Sequence, residues 1–247
     1  MLAKNKTYFI SDTHLGIPSH ESSLEREKAL VSLLLEMSKD AKAIYLLGDI
    51  FDFWYEYKYV VPKGFTRLLG TLAHLCDKSI EVHFFTGNHD QWVKDYFQTE
   101  IGMIVHTKEL ETEIDGKRFY IAHGDGFDQT DRRYKVLKSI FGNKTLRVLF
   151  SAIHPYWAFR LAQNWSKRSR LSHGDTDKID LGDKEPMIAY CKEILQTRHI
   201  DYFILGHRHL MTQKKLSPTS YYYNLGEWVN HKYYGVWDSE RFEIRSL

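Results

Sequence analysis

The sequence predicts an α/β protein with its strands packed inside helices. Three observations carry that expectation: short β-rich runs apolar on both faces, amphipathic helical stretches between the earlier runs, and polar motifs set immediately after five of them.

The elements follow in order. Residues 7–10, Thr-Tyr-Phe-Ile, read as a strand buried on both faces or nearly so. Residues 22–39 then place Leu24, Leu30, Leu33, Leu34 and Met37 on one helical face. A second buried strand spans 43–47, and a helical stripe runs over 64–76 after Pro62. Strands at 80–85 and 118–122 come next. From 131 to about 183 no strand-like run appears, and Lys, Arg, Trp, Phe and Leu recur at mixed helical spacing, so this segment reads as a helical insertion within one domain over 1–247. A helix over 185–196, around Pro186, returns the chain to strands at 202–205 and 221–225. Trp237 and residues 242–244 close the chain as a terminal β-meander, with a turn near Asp238 and Ser239.

Composition narrows the function. A chain of 247 residues is long enough to bury about 70–75% of its unfolded surface in one core. Its 34 Lys+Arg against 32 Asp+Glu give a net charge of +2, which is no polycationic surface for nucleic acid, and no protein partner is indicated. Cys76 and Cys191 fall in apolar helical patterns and read as buried reduced thiols, not as a disulfide or a zinc-thiolate site. The start of the chain has no basic, apolar and small-residue sequence of a secretory signal, and no stretch reaches the roughly 20 apolar residues of a membrane span, so a cytoplasmic place is expected. The aromatic excess of 16 Tyr, 14 Phe and 6 Trp reads mainly as packing.

Chemistry enters through the polar residues that end the strands. Ile10 leads into Ser-Asp-Thr-His at 11–14, Leu47 into Gly-Asp-Ile-Phe-Asp at 48–52, and Phe85 into Thr-Gly-Asn-His-Asp at 86–90. Ala122 leads into His-Gly-Asp at 123–125, and Leu205 into Gly-His-Arg-His at 206–209. In α/β sheets functional groups converge beyond the carboxyl ends of the strands, so these distant residues are expected to share one site. Asp12, His14, Asp49, Asn88, His123, His207 and His209 offer two carboxylates, one amide oxygen and four imidazoles without a thiolate, a donor set for two divalent cations of borderline hardness. Gly48, Gly87, Gly124 and Gly206 stand next to ligands, where a Cβ would obstruct close approach. Asp90 and Asp125 read as loop-capping residues.

Together these blocks resemble the calcineurin-like metallophosphoesterases, whose signature is Asp-x-His, Gly-Asp-x-x-Asp, Gly-Asn-His-Asp or Glu, a lone His, and Gly-His-x-His. All five occur in order between Asp12 and His209. The resemblance implies an αββα sandwich of two mixed β-sheets flanked by helices. It implies a first metal on Asp12, His14, Asp49 and His209, and a second on Asp49, Asn88, His123 and His207, with Asp49 bridging. It also implies a catalytic role for His89, paired with Asp52.

Features between the motifs narrow the likeness. The stretch from Gly48 to Tyr57, the His-Gly-Asp-Gly followed by Asp131, and the helical insertion are similar to the UDP-2,3-diacylglucosamine pyrophosphohydrolases of lipid A synthesis, over nearly the whole chain. That resemblance implies hydrolysis of the acylated sugar nucleotide to UMP and 2,3-diacylglucosamine 1-phosphate with Mn2+. It implies a helical lid over 131–183 and a peripheral place on the cytoplasmic face of the inner membrane. Substrate contacts would come from Asn88, His89, Asp131, Lys167, Arg168, Arg170 and His207, and Phe141, Leu149, Phe150, Trp157 and Phe159 would line an acyl groove or pack the lid. The chain departs from that pattern at His89, where many such hydrolases carry Arg. A phosphodiesterase or phosphatase acting on a soluble nucleotide or another phosphate ester stays open, and the seven intact ligand positions set aside a non-catalytic scaffold.

Overall fold

Period-two alternation decides the layers. The computed structural model describes residues 4–128, 139, 142–161, 164 and 181–247. In strand β1 (Lys6–Ile10), Tyr8 and Ile10 face one side and Phe9 the other. Helix α1 (His20–Met37) follows, then β2 (Ala41–Leu46), α2 (Thr66–Asp77), β3 (Glu81–Phe85) and the short β4 (Ile104–His106). The chain next forms β5 (Leu110–Ile114), β6 (Lys117–Ala122), α3 (Lys144–Ser151), α4 (Pro186–Thr197) and β7 (Tyr202–Leu205). Strands β8 (Met211–Ser217), β9 (Ser220–Leu225), β10 (Tyr233–Trp237) and β11 (Phe242–Ser246) end it.

Among the described residues these strands make two mixed sheets, ordered β11-β10-β1-β2-β3-β4 and β5-β6-β7-β9-β8. In the first, β1 to β4 run parallel, β10 pairs antiparallel with β1, and β11 pairs antiparallel with β10. In the second, β6, β7 and β9 run parallel between antiparallel edges. Leu30, Leu34 and Met37 of α1 and Leu68, Leu72 and Leu75 of α2 pack on one face of the first sheet with Ile44, Leu46 and Phe84. Phe9, Tyr45, Phe119, Ile121, Ile204, Tyr223 and Trp237 fill the space between sheets. Met187, Ile188, Cys191 and Ile194 of α4 cover the far face with Tyr120, Phe203 and Leu205. The result is the expected αββα sandwich.

Part of the aromatic excess lies between the sheets. Phe9 stacks on Tyr45 at 5.1 Å and on Phe119 at 6.1 Å, and Phe119 stacks on Tyr202 at 4.9 Å. Each fully buried side chain of this size contributes about 1.5–3 kcal/mol of burial, so this layer carries much of the stability. Cys191 is buried as expected, whereas Cys76 is only half-buried; both are free.

Helix starts are set by side chains. Ser19 and Ser22 form a reciprocal capping box at the start of α1. Phe65 cannot cap α2, and Glu27 of α1 does so instead, accepting from Arg67 N at 3.0 Å and Leu68 N at 3.1 Å.

Three strands were not expected from the sequence: β4, β5 and β8. All are sheet edges, and β5 and β8 alternate exposed Glu, Gln and Lys with half-buried residues, the composition that keeps an edge from pairing with another chain. A search for strands buried on both faces passes over them. Within the expected insertion, α3 and the helical residues 155–161 dock on the core through rings, Phe150 with Tyr55 at 4.9 Å and Trp92 at 5.1 Å, and Phe159 with Phe53 at 5.0 Å. Leu149 and Trp157 are exposed. Asp131, Phe141, Lys167, Arg168 and Arg170 lie outside the described residues.

Candidate metal centre

Each polar motif sits where its strand ends: the first three follow β1, β2 and β3 of one sheet, the last two follow β6 and β7 of the other. The loops meet at one place. The price is strained backbone, since five of the nine non-glycine residues with positive φ among the described residues are Asp12, His14, Asp49, His207 and His209. Such conformations persist where surrounding contacts over-determine them, and they concentrate at functional sites.

Asp12 shows how the carboxylates are aimed. Its Oδ2 accepts from the Ser11 hydroxyl and from His207 N at 3.0 Å, while its buried Oδ1 has no hydrogen-bond donor and lies 3.3 Å from His209 Nε2 and 3.8 Å from His14 Nε2. His14 Nε2 is 3.1 Å from His209 Nε2 and 3.9 Å from Asp49 Oδ2. Ligand atoms of Asp12, His14, Asp49 and His209 all lie within 4.8 Å of one another, a set able to hold a divalent cation.

Asp49 is divided in the same way. Oδ1 accepts from His89 N at 2.8 Å, and Oδ2 faces inward, 3.4 Å from His123 Nε2 as well as 3.9 Å from His14 Nε2. One oxygen thus stands between two ligand sets. The second set is held together by Asn88, whose Oδ1 lies 2.9 Å from His207 Nδ1 and 3.2 Å from His123 Nε2.

The His123 tautomer tests whether a cation fits. Nδ1 is 2.8 Å from the Leu47 carbonyl, which can only accept, so Nδ1 carries the proton and the neutral ring presents a lone pair at Nε2. That lone pair faces two further acceptors, Asp49 Oδ2 and Asn88 Oδ1. Acceptors converge in this way only around a proton on a charged ring or a bound cation. Burial opposes charge on His123 and His14, yet the Asp49, Asp12 and Asp52 carboxylates beside them lift both up to about 10. Asp12 and Asp49 are held below the usual carboxylate range by these imidazoles, against their own burial. His207, buried beside His123, is pulled down to about 4, which favours the neutral ring. The cage therefore stabilises positive charge, and its donors match a pair of divalent cations.

His89 and Asp52 stand at the rim of the first set. His89 Nδ1 lies 3.0 Å from the Asp52 carbonyl and 3.6 Å from Asp52 Oδ1, and Asp52 Oδ1 is also 3.6 Å from His14 Nδ1. His89 Nε2 points inward, 4.0 Å from Asp49 Oδ2. Burial lowers the pKa of His89, and the Asp49 and Asp52 charges oppose that.

Two glycines are required by close approach. A Cβ on Gly87 would stand 2.6 Å from Asp49 N, and one on Gly206 would overlap the Ser11 hydroxyl and come within 2.5 Å of Asp12 Oδ2.

Sequence reasoning missed three supports. Arg26 of α1 donates to the carbonyls of Thr13, His14 and Ile17; the signal was an arginine in register with the apolar stripe through Leu30, Leu33 and Leu34. Asp90 reaches beyond its own loop, accepting from Gly87 N at 2.8 Å, Ile50 N at 2.8 Å and Asp49 N at 3.2 Å, so it ties two ligand loops together. Asn224, a polar residue inside the apolar run of β9, donates to the Gly206 carbonyl.

The chain is similar to known proteins over most of its length. The sequence model of a family described as calcineurin-like phosphoesterase matches residues 6–211. A protein of Porphyromonas gingivalis named UDP-2,3-diacylglucosamine hydrolase is 39% identical, with 99% of this chain and 98% of that protein covered. One of the same name from Neisseria meningitidis serogroup A is 30% identical, over 82% of this chain and 81% of its own length. Among solved structures, a dimetal phosphatase from Danio rerio aligns over 99% of this chain and 96% of its own, with a TM-score of 0.50 and 13% identity, a likeness of fold.

Proposed function

We propose a substrate from one premise: this chain belongs to the calcineurin-like phosphoesterase family. It is a metal-dependent phosphoester hydrolase with a dinuclear divalent-metal site. Its reaction, in our reading, is hydrolysis of the pyrophosphate of UDP-2,3-diacylglucosamine to UMP and 2,3-diacylglucosamine 1-phosphate. The observation that carries this reading is 39% identity to the P. gingivalis hydrolase over 99% of the chain.

Asp12, His14, Asp49 and His209 would hold one cation and Asp49, Asn88, His123 and His207 the other, with Asp49 common to both sets; Mn2+ is the proposed ion. When bound, the pair supplies a water of lowered pKa and neutralises charge on the phosphoryl oxygens. The protein's own groups do the remaining work. Ser11 and His207 N–H hold Asp12 Oδ2, so that Oδ1 faces inward. The Leu47 carbonyl keeps the His123 proton on Nδ1. The Asp52 carbonyl accepts from His89 Nδ1, which turns Nε2 toward the site, where an arriving phosphate anion favours a proton on Nε2 and a hydrogen bond to the reacting phosphate or its leaving oxygen.

Residues 131–183 act, in this reading, as a helical lid within a single domain, and the ring contacts of Phe150 and Phe159 with Tyr55, Trp92 and Phe53 support placing residues 144–161 over the core. Lys167, Arg168, Arg170 and Asp131, with Asn88, His89 and His207, are the proposed substrate contacts, a basic lid side chain taking the place of the guanidinium absent at His89. No helix among the described residues is long and apolar enough to cross a membrane, and the proposed location is a peripheral one on the cytoplasmic face of the inner membrane.

The test is UMP release from the acylated sugar nucleotide in detergent with Mn2+, set against hydrolysis of bis-p-nitrophenyl phosphate and cyclic nucleotides. Turnover of the lipid nucleotide is expected. Activity confined to the small esters would make the chain a phosphodiesterase of soluble substrates.

A further inference from the structure

A buried cation sits beneath the ligand loop of the first motif. Arg26 is 4% exposed, and its contacts with that loop are all to backbone carbonyls. Nε donates to Thr13 O at 2.8 Å, and Nη2 donates to His14 O at 2.8 Å and to Ile17 O. Burial opposes charge on the guanidinium, and the negative charges of Glu227 and Asp52 act against that only in part. The carbonyls it gathers belong to the loop on which Asp12 and His14 adopt φ of 51° and 43°. Non-glycine residues hold such angles only when their surroundings fix them. A planar fork of five donors is suited to gathering several carbonyls at once, which a single ammonium does less completely.

We propose that Arg26 is the positioning residue of one half of the metal centre, clamping the loop so that Asp12 and His14 share a cation with Asp49 and His209. This rests on the dinuclear reading above. Arg26 acts through the loop and not on the substrate. The Asp49 loop is held independently by Asp90.

The next residue supplies the control. Glu27 is equally buried on the same helix, but its carboxylate caps α2 through Arg67 N and Leu68 N. Loss of its charge weakens the fold without loosening the clamp on the loop.

The experiment is Mn2+ titration calorimetry on the chelated full chain, with urea unfolding alongside, for wild type, Arg26→Met, Arg26→Lys and Glu27→Gln. Wild type is expected to take two ions. Arg26→Met should weaken one by tenfold or more, the scale of changes that reorient ligands from behind, and keep the other. Arg26→Lys should recover part of that loss. Glu27→Gln should be less stable yet bind both ions as wild type does. Two ions at wild-type affinity in Arg26→Met, or equal weakening in Glu27→Gln, overturns the proposal. Should Arg26→Met not fold, the lysine variant decides, and unaltered affinities there overturn it. A wild-type chain that takes fewer than two ions would sink the dinuclear reading itself.

Discussion

His207 N–H donates to Asp12 Oδ2 at 3.0 Å, joining the last ligand motif to the first across 195 residues. The bond crosses from one sheet to the other. It also occupies the outer oxygen of Asp12, with help from the Ser11 hydroxyl, and so leaves Oδ1 for a cation.

Ser11→Ala removes one of those two donors and lets the carboxylate turn. Divalent-ion affinity is expected to fall about tenfold with the fold intact, because the change acts behind the ligand. Calorimetric titration checks it, and an unchanged isotherm would count against the aiming of Asp12 by Ser11.

Gly206→Ala forces a methyl group into the Ser11 hydroxyl and against Asp12 Oδ2. Overpacking of this kind costs about 1–3 kcal/mol, read as a lower urea midpoint in the chelated protein, with weaker metal binding besides. Gly116→Ala, where no described residue lies within 4 Å although φ is positive, should leave metal binding unaltered.

His89→Ala and Asp49→Asn separate chemistry from metal binding. The first should keep both ions and lose about 10²–10⁴-fold in turnover, the contribution of a positioned proton-transfer group. The second replaces the oxygen set between both ligand groups and should strip the metals as well. Metal counts on the purified variants decide, and a His89→Ala protein without ions would remove His89 from its proposed role.

A pH effect follows from a histidine pair away from the metal centre. His83 Nδ1 and His106 Nε2 lie 2.9 Å apart on adjacent strands, and burial together with the neighbouring His83 pulls His106 down to about 4. The folded pKa is below the unfolded one, so this contribution is present above about pH 6.5 and is lost as the pH falls toward 4, where the unfolded chain binds the extra proton. For a half-exposed ring, solvent screening reduces the effect to roughly 1–2 kcal/mol. Urea unfolding from pH 7 to 4 should show a shallower loss in His106→Gln than in wild type; identical slopes would remove the pair from the account.

The strands buried on both faces and the three longer helices were legible because burial leaves a local record: β1, β2, β3, β6, β7 and β9 are runs of apolar residues, and α1 repeats leucine at helical spacing. The edge strands β4, β5 and β8 left no such record, since an edge is half in water and its polar residues resemble a loop. All seven ligand candidates were legible too, because a polar motif that directly follows an apolar strand stands out against it.

What the sequence determined by itself was therefore the class of the fold and the set of candidate donors. Only the tertiary structure decided which oxygen of Asp12 and of Asp49 faces inward, that one sheet supplies three of the loops and the other two, and that Arg26, Asp90 and Asn224 hold those loops from behind. The physical reason is range. Burial and periodicity act between neighbours in the chain, whereas the direction of a carboxylate is set by donors such as His207 N–H, almost two hundred residues away, that reach it only after the sheets have packed.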